Sequence, residues 1–130
     1  ILRVCKHYGF TTHQLDHLFN SLIVSLFTFA VEVWGGASYT KYVSQIDKFI
    51  NRAYRNGYTS NKSDFKEIIL NRDKKLWLKI INDHTNALHS LLPNKLIRPL
   101  RQRGHDFELP IVKTERFKNV FINRCLFNFI

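Results

Sequence analysis

Lys41, Lys48, Arg52 and Arg55 recur at spacings of seven, four and three, which gathers four cations on one face of a helix. A second basic group, Lys95, Arg98, Arg101, Arg103 and Lys113, accumulates around Pro99 and Pro110. Cations spaced this way neutralise the phosphates of a nucleic-acid backbone and displace its counterions, with weak demand on base sequence. Tyr42, Tyr54 and Tyr58 interleave with the first group and offer rings that stack on bases or sugars. The competing reading of the helical stripe is a solvated basic face. Three arginines between positions 98 and 103, beside Pro99, are more than solubility requires.

The charge balance points the same way. The 130 residues carry 20 Lys and Arg against 10 Asp and Glu, a formal net charge of +10. Residues 1–34 hold only Arg3 and Lys6 against Asp16 and Glu32, so the whole excess falls in residues 35–130. A near-neutral apolar beginning and a basic remainder suggest packing at one end and a polyanion partner at the other, nucleic acid first and an anionic membrane surface second. Hydrophobic residues make up 45% of the chain, enough for a real core and too many for disorder. The chain opens on Ile1-Leu2-Arg3 and contains no methionine, so it reads as a piece of a longer polypeptide.

Other chemistries find little support. His13 and His17 sit at i and i+4, a spacing compatible with metal, but no third ligand follows nearby and surface histidines fit better. His84 and His89 cross an irregular stretch, and Cys5 with His7 matches no ligand spacing. His105, beside Arg101 and Arg103, touches phosphate or is simply solvated. Carboxylates are scattered, with none of the convergence that two-metal nucleotidyl transfer needs. Asp47, Asp64, Asp73 and Asp83 read as helix-cap or ion-pair residues. No nucleophile elbow or phosphate-cradling glycine loop occurs, so no catalytic residues and no cofactor are assigned to this chain. Cys5 and Cys125 read as buried free thiols. No signal peptide is expected from these residues, and polar residues interrupt 15–34, the best candidate membrane span.

The elements that carry these residues read as mainly α. Residues 1–8 end a helix capped by Gly9, and Thr11 with Gln14 forms a capping box. A long, nearly all-apolar helix is expected from Thr12 to Trp34, central and buried. Ser21, Ser25, Thr28 and Glu32 form its single polar seam, facing solvent or admitting another backbone. Gly35-Gly36 ends it. The next helix runs from Ser38 to Asn56 with Gly57 as cap, and Tyr39, Val43, Ile46, Ile50 and Ala53 face the core. After a turn at Asn56 to Asn61, a short helix starting at Ser63 or Asp64 ends at Leu70. Another, capped by Asn71 or Asp73, presents Leu76, Trp77, Ile80 and Ile81. Asn86 to Pro93 is irregular, anchored by Leu88, Leu91 and Leu92. Residues 94–113 read as an extended basic connector with a short strand at Asp106 to Leu109, and Thr114 caps a last helix toward the end. The expected organisation is 1–93 helical, 94–113 connector, and 114–130 C-terminal helix.

Several segments, in order, resemble one family. Phe27-Thr28-Phe29-Ala30-Val31-Glu32-Val33-Trp34-Gly35 resembles the "F-x-Y-G-x-E-x-W-G" helix end of LINE-type, jockey-like non-LTR retrotransposon reverse transcriptases, and Leu15 to Leu26 fits its lead-in. Tyr42 to Tyr54 resembles the following helix of that family, with Ile46, Arg52, Ala53 and Arg55 in place. The tail matches through Leu91-Leu92-Pro93, Leu100-Arg101-Gln102-Arg103-Gly104-His105, Leu109-Pro110, Lys113-Thr114-Glu115-Arg116-Phe117 and Phe121-Ile122-Asn123-Arg124. The departures are Phe29-Ala30 where the family often has Tyr-Gly, Phe49 where it often has Gln, Val120-Phe121 for its "S-F", and Phe127-Asn128 for its "W-N".

The resemblance implies a helical thumb-like bundle and its C-terminal extension, which would cradle the template–primer duplex behind a polymerase active site. It implies that the catalytic aspartates and their Mg ions belong to a palm upstream of Ile1, against which the long helix would pack. The implied partners are an RNA–DNA or DNA duplex and that palm, with no membrane, at an intracellular site in nucleus or cytoplasm. The candidate binding residues are Lys41, Lys48, Arg52, Arg55, Arg98, Arg101 and Arg103. Two other classes stay open: a helical protein-interaction module, and a functionless relic of a decayed element.

Overall fold

The computed structural model describes residues 1–37, 40–62, 64–95 and 106–130, with backbone only at 40 and 41. It is mainly helical, and it divides into two compact units that are not contiguous in sequence. Unit 1 comprises Ile1–Val31 and Ser38–Leu70, and unit 2 comprises Glu32–Ala37 and Asn71–Ile130.

In unit 1, α1 (Leu2–His7) ends in a Schellman motif: Phe10 N–H donates to Cys5 O, and Gly9 N–H to Lys6 O. Gly9 is left-handed there, with φ +82°. Thr11 and Gln14 form the expected capping box at the start of α2 (Thr12–Phe19). α5 (Thr40–Arg55) ends in the same way as α1, through Gly57 and Tyr58, and Lys6 Nζ donates to the Asn56 carbonyl at 2.6 Å. Val43, Ile50 and Ala53 of α5 are buried, as are Leu15, Phe19, Val31 and Phe65. The Phe27 ring lies edge-on to both Phe49 and Phe65. Burying a side chain of this size stabilises by roughly 1.5–3 kcal/mol, so this apolar set carries the unit.

The long helix expected over 12–34 does not form as one element. A π-helical turn (Asn20–Val24) follows α2, then α3 (Ser25–Thr28), a break at Phe29–Ala30, α4 (Val31–Trp34) and a 3-10 turn over Gly35–Ala37. The cause is local. Ser25 and Thr28 hydroxyls turn back onto the carbonyls of Ser21 and Val24, a bonding pattern that bends helices. Phe29 is then extended and Ala30 left-handed, with φ +48°. The seam hydroxyls of Ser25 and Thr28 are thus taken up by their own helix. The segment is not buried all round either: Leu22, Leu26 and Phe29 are exposed.

α6 (Phe65–Asn82) is continuous where two helices were expected. Its start is capped by Asp47, which accepts from Phe65 N–H at 2.9 Å, and by Asp64, which accepts from Lys66 N–H. Asp73 caps nothing, because a tertiary partner claims it.

Unit 2 packs Trp77, Cys125 and Leu126 with Ile81, Leu92, Phe107, Phe121, Ile122 and Phe129 around them. The stretch after α6 becomes a 3-10 helix (Ala87–Leu91) capped by Asn86. Of the expected strand only an isolated antiparallel bridge, Lys95 to Phe107, is found among the described residues. One bridge has no ladder to extend it, and Pro110 cannot donate to one. Thr114 caps α7 (Glu115–Lys118), and the last helix restarts at α8 (Phe121–Phe129). At that break Asn123 Nδ2 donates to the Phe117 carbonyl at 2.8 Å. Cys125 is buried whereas Cys5 is only half-buried, and both are free thiols. Among the described residues no single helix is long and apolar enough to cross a membrane.

Candidate nucleic-acid interface

α5 separates its apolar and basic residues cleanly. At about 100° per residue, Lys48, Arg52 and Arg55 fall within about 60° of arc, opposite Val43, Ile50 and Ala53. All three cations are exposed. Among the described residues none of them has a carboxylate within ion-pair distance. Lys41 would extend the stripe by its position, but its side chain lies outside the described residues, as do Arg98, Arg101 and Arg103 entirely.

The tyrosines are not equivalent. Tyr42 is 57% and Tyr54 45% exposed, on opposite flanks of the basic stripe. Tyr58 is half-buried, and Lys6 Nζ sits 5.6 Å from its ring centroid. Tyr58 is therefore a structural partner of Lys6 in a cation–π contact.

Asp16 fastens the turn that follows α5. It accepts from the Thr59 hydroxyl at 2.6 Å and from the Ser60 backbone and hydroxyl. The Thr59 hydrogen bond, foremost, holds the Asp16 carboxyl below its ordinary range, and the charge of His13 adds to this. His13 and His17 are exposed on α2, and among the described residues no group of three or more His, Cys, Asp or Glu could hold a metal ion. Asp83 is also held low, chiefly by the hydroxyl of Thr85.

Unit 2 contains a centre that the sequence reading did not assign. Arg124 makes a two-point ion pair with Asp73, Nε to Oδ2 at 2.7 Å and Nη2 to Oδ1 at 2.9 Å. It also donates to the carbonyls of Asn119 at 2.8 Å and Glu32 at 3.1 Å. The Asp73 side chain is 1% and that of Arg124 10% exposed. Gly36 approaches so closely that a Cβ there would collide with the Asn119 carbonyl and Arg124 Nη1. Glu32 itself pairs with Arg72 at 3.1 Å. Planar, two-point pairing with further hydrogen bonds to backbone carbonyls is the geometry in which a buried ion pair is tolerated. Burial beside Asp73 pushes the Cys125 thiol up to about 12, so it is inert. This centre ties α6, the Glu32 and Gly36 segment and α8 together within unit 2.

A second basic surface also went unread. Lys75 and Lys79 sit at i and i+4 on α6, exposed, away from buried Asp73, Trp77 and Ile80. The i, i+4 spacing lies within the helix expected after Asn71 or Asp73, but only its apolar face was read.

No protein-family model matches the chain, and no curated protein or solved structure matches it either.

Proposed function

We propose that the chain is the non-catalytic, duplex-gripping portion of a non-LTR retrotransposon reverse transcriptase, downstream of the polymerase palm. The observation that carries the reading is the α5 face, where Lys48, Arg52 and Arg55 are exposed, aligned and without carboxylate partners among the described residues. Lys41, Arg98, Arg101 and Arg103 join them by sequence. Such a face grips phosphates non-specifically and lets a duplex slide. Mg ions and the nucleotidyl-transfer step belong to the palm of the parent enzyme.

Two further observations support the family resemblance. Ala30 stands where the family often carries glycine, and its φ is +48°, a conformation glycine adopts without strain. Glu32, in one matched segment, and Arg124, in another 92 residues away, meet at one hydrogen bond.

Replacing Arg52, Arg55, Arg101 and Arg103 with alanine should weaken binding to an RNA–DNA hybrid. It should also lower the slope of log affinity against log salt by up to about 0.9 for each phosphate left without its cation. An unchanged slope would sink the proposal.

The exposed Leu22, at 46%, and Leu26, at 75%, favour a second reading, a protein-interaction module. It predicts that charge reversal at Lys48 and Arg52 leaves partner binding intact and that nucleic-acid binding depends little on salt.

A further inference from the structure

His84 and His89, five residues apart, are brought together in unit 2. His84 Nδ1 and His89 Nε2 share a hydrogen bond of 2.9 Å, whose donor depends on the tautomers of the two rings, and the rings stand at 68° with centroids 4.6 Å apart. The turn that does this is heavily tied. Asp83 Oδ1 accepts from Thr85 N–H and hydroxyl, Asn86 Oδ1 accepts from Leu88 N–H, and the Asn86 carbonyl accepts from His89 N–H at 2.9 Å. Both imidazoles are thus held facing each other before any ligand arrives, with His84 exposed and His89 half-buried.

A metal ion replaces the hydrogen bond between the two rings once the donor ring carries its proton on its other nitrogen, which leaves a lone pair on each facing nitrogen, and the spacing then fits one geometry. With metal–nitrogen bonds of ~2.0–2.1 Å, nitrogens 2.9 Å apart subtend about 90° at the metal. A tetrahedral ion would need them spread to about 3.3 Å. Right-angled imidazole ligation suits tetragonal Cu(II) or Ni(II), and copper also leads the divalent affinity order. We propose that His84 and His89 form a two-point site for a divalent transition-metal ion of tetragonal preference, Cu2+ foremost. No third histidine, cysteine or carboxylate joins them among the described residues, so water or an external ligand completes the coordination shell. The site involves none of the α5 cations and does not depend on the nucleic-acid reading.

The test is calorimetric titration of Cu2+ into the full chain and into three variants: His84→Ala, His89→Gln, and His13→Ala with His17→Ala. The last removes the i, i+4 pair of α2. Circular dichroism identifies any variant that fails to fold, and either single variant suffices. The expected result is one site tighter than the rest in the parent. It should weaken by about tenfold or more when either arm of the two-point attachment is removed, and persist in the His13/His17 variant. The proposal is overturned if no such site exists, if it survives loss of His84 or His89, or if it vanishes with His13 and His17.

Discussion

In unit 1 the engaged carboxylates work at edges. Asp47 caps the start of α6, and Asp16 holds the turn at Thr59 and Ser60. Its interior is apolar and aromatic, and the cations of α5 point outward. In unit 2 one such carboxylate lies inside: Asp73 is buried with Arg124 upon it, and Arg124 gathers two backbone carbonyls as well. The difference teaches how a basic chain uses its charge. Outward cations cost little and stay available to a polyanion, whereas an inward cation is bound to one geometry and makes the surrounding chain depend on it.

The largest effect should come from breaking the inward pair. Arg124→Met leaves Asp73 buried and uncompensated, and should cost about 3–5 kcal/mol in urea denaturation. Adding Asp73→Leu should recover most of that loss, since an apolar replacement of both partners is often neutral or better. If the double variant is as unstable as the single, the pair is not what distinguishes unit 2. Next in size, Gly36→Ala drives a methyl into the Asn119 carbonyl and Arg124, and should cost about 1–3 kcal/mol as overpacking against backbone does.

Unit 1 should show the opposite sign at Ala30, which among the described residues is the one non-glycine residue with positive φ. Ala30→Gly relieves a left-handed alanine and should stabilise by about 1 kcal/mol, read as a raised urea midpoint. The smallest effect is pH dependence. Asp16 has a lowered pKa in the folded state, so its stabilisation is present above its unfolded-state pKa and is lost as pH falls through the folded value. Stability should therefore decline on the acid side. Asp16→Asn should flatten that limb more than Asp83→Asn, because Asp16 joins segments 43 residues apart while Asp83 bonds within its own turn.

Much of this was legible before any coordinates. The capping box at Thr11, the glycine ends at Gly9 and Gly57, the cap at Thr114 and the two faces of α5 depend on neighbours within a few residues. The roles of Asp47, Asp64 and Asp73 as caps or ion-pair residues were also legible as a class, whereas Asp83 instead holds its own turn through Thr85. Which of them pairs with what was not. Asp73 and Arg124 are 51 residues apart, and no spacing rule links them. The same holds for the candidate interface: the stripe is in the periodicity, but Tyr58 reads as a stacking ring until Lys6 is found over it.

By itself, then, the sequence determined what short-range forces determine: a mainly helical chain, where several helices start and stop, which face of α5 is basic, and that the positive charge is concentrated after residue 34. Only the tertiary structure decided that α6 runs through Asp73, that Asp73 meets Arg124, and that Gly36 must lack a side chain. The physical reason is range. Caps and amphipathic stripes are settled within one or two helical turns, whereas a buried charge or a close backbone approach is settled by whichever distant group packing brings against it.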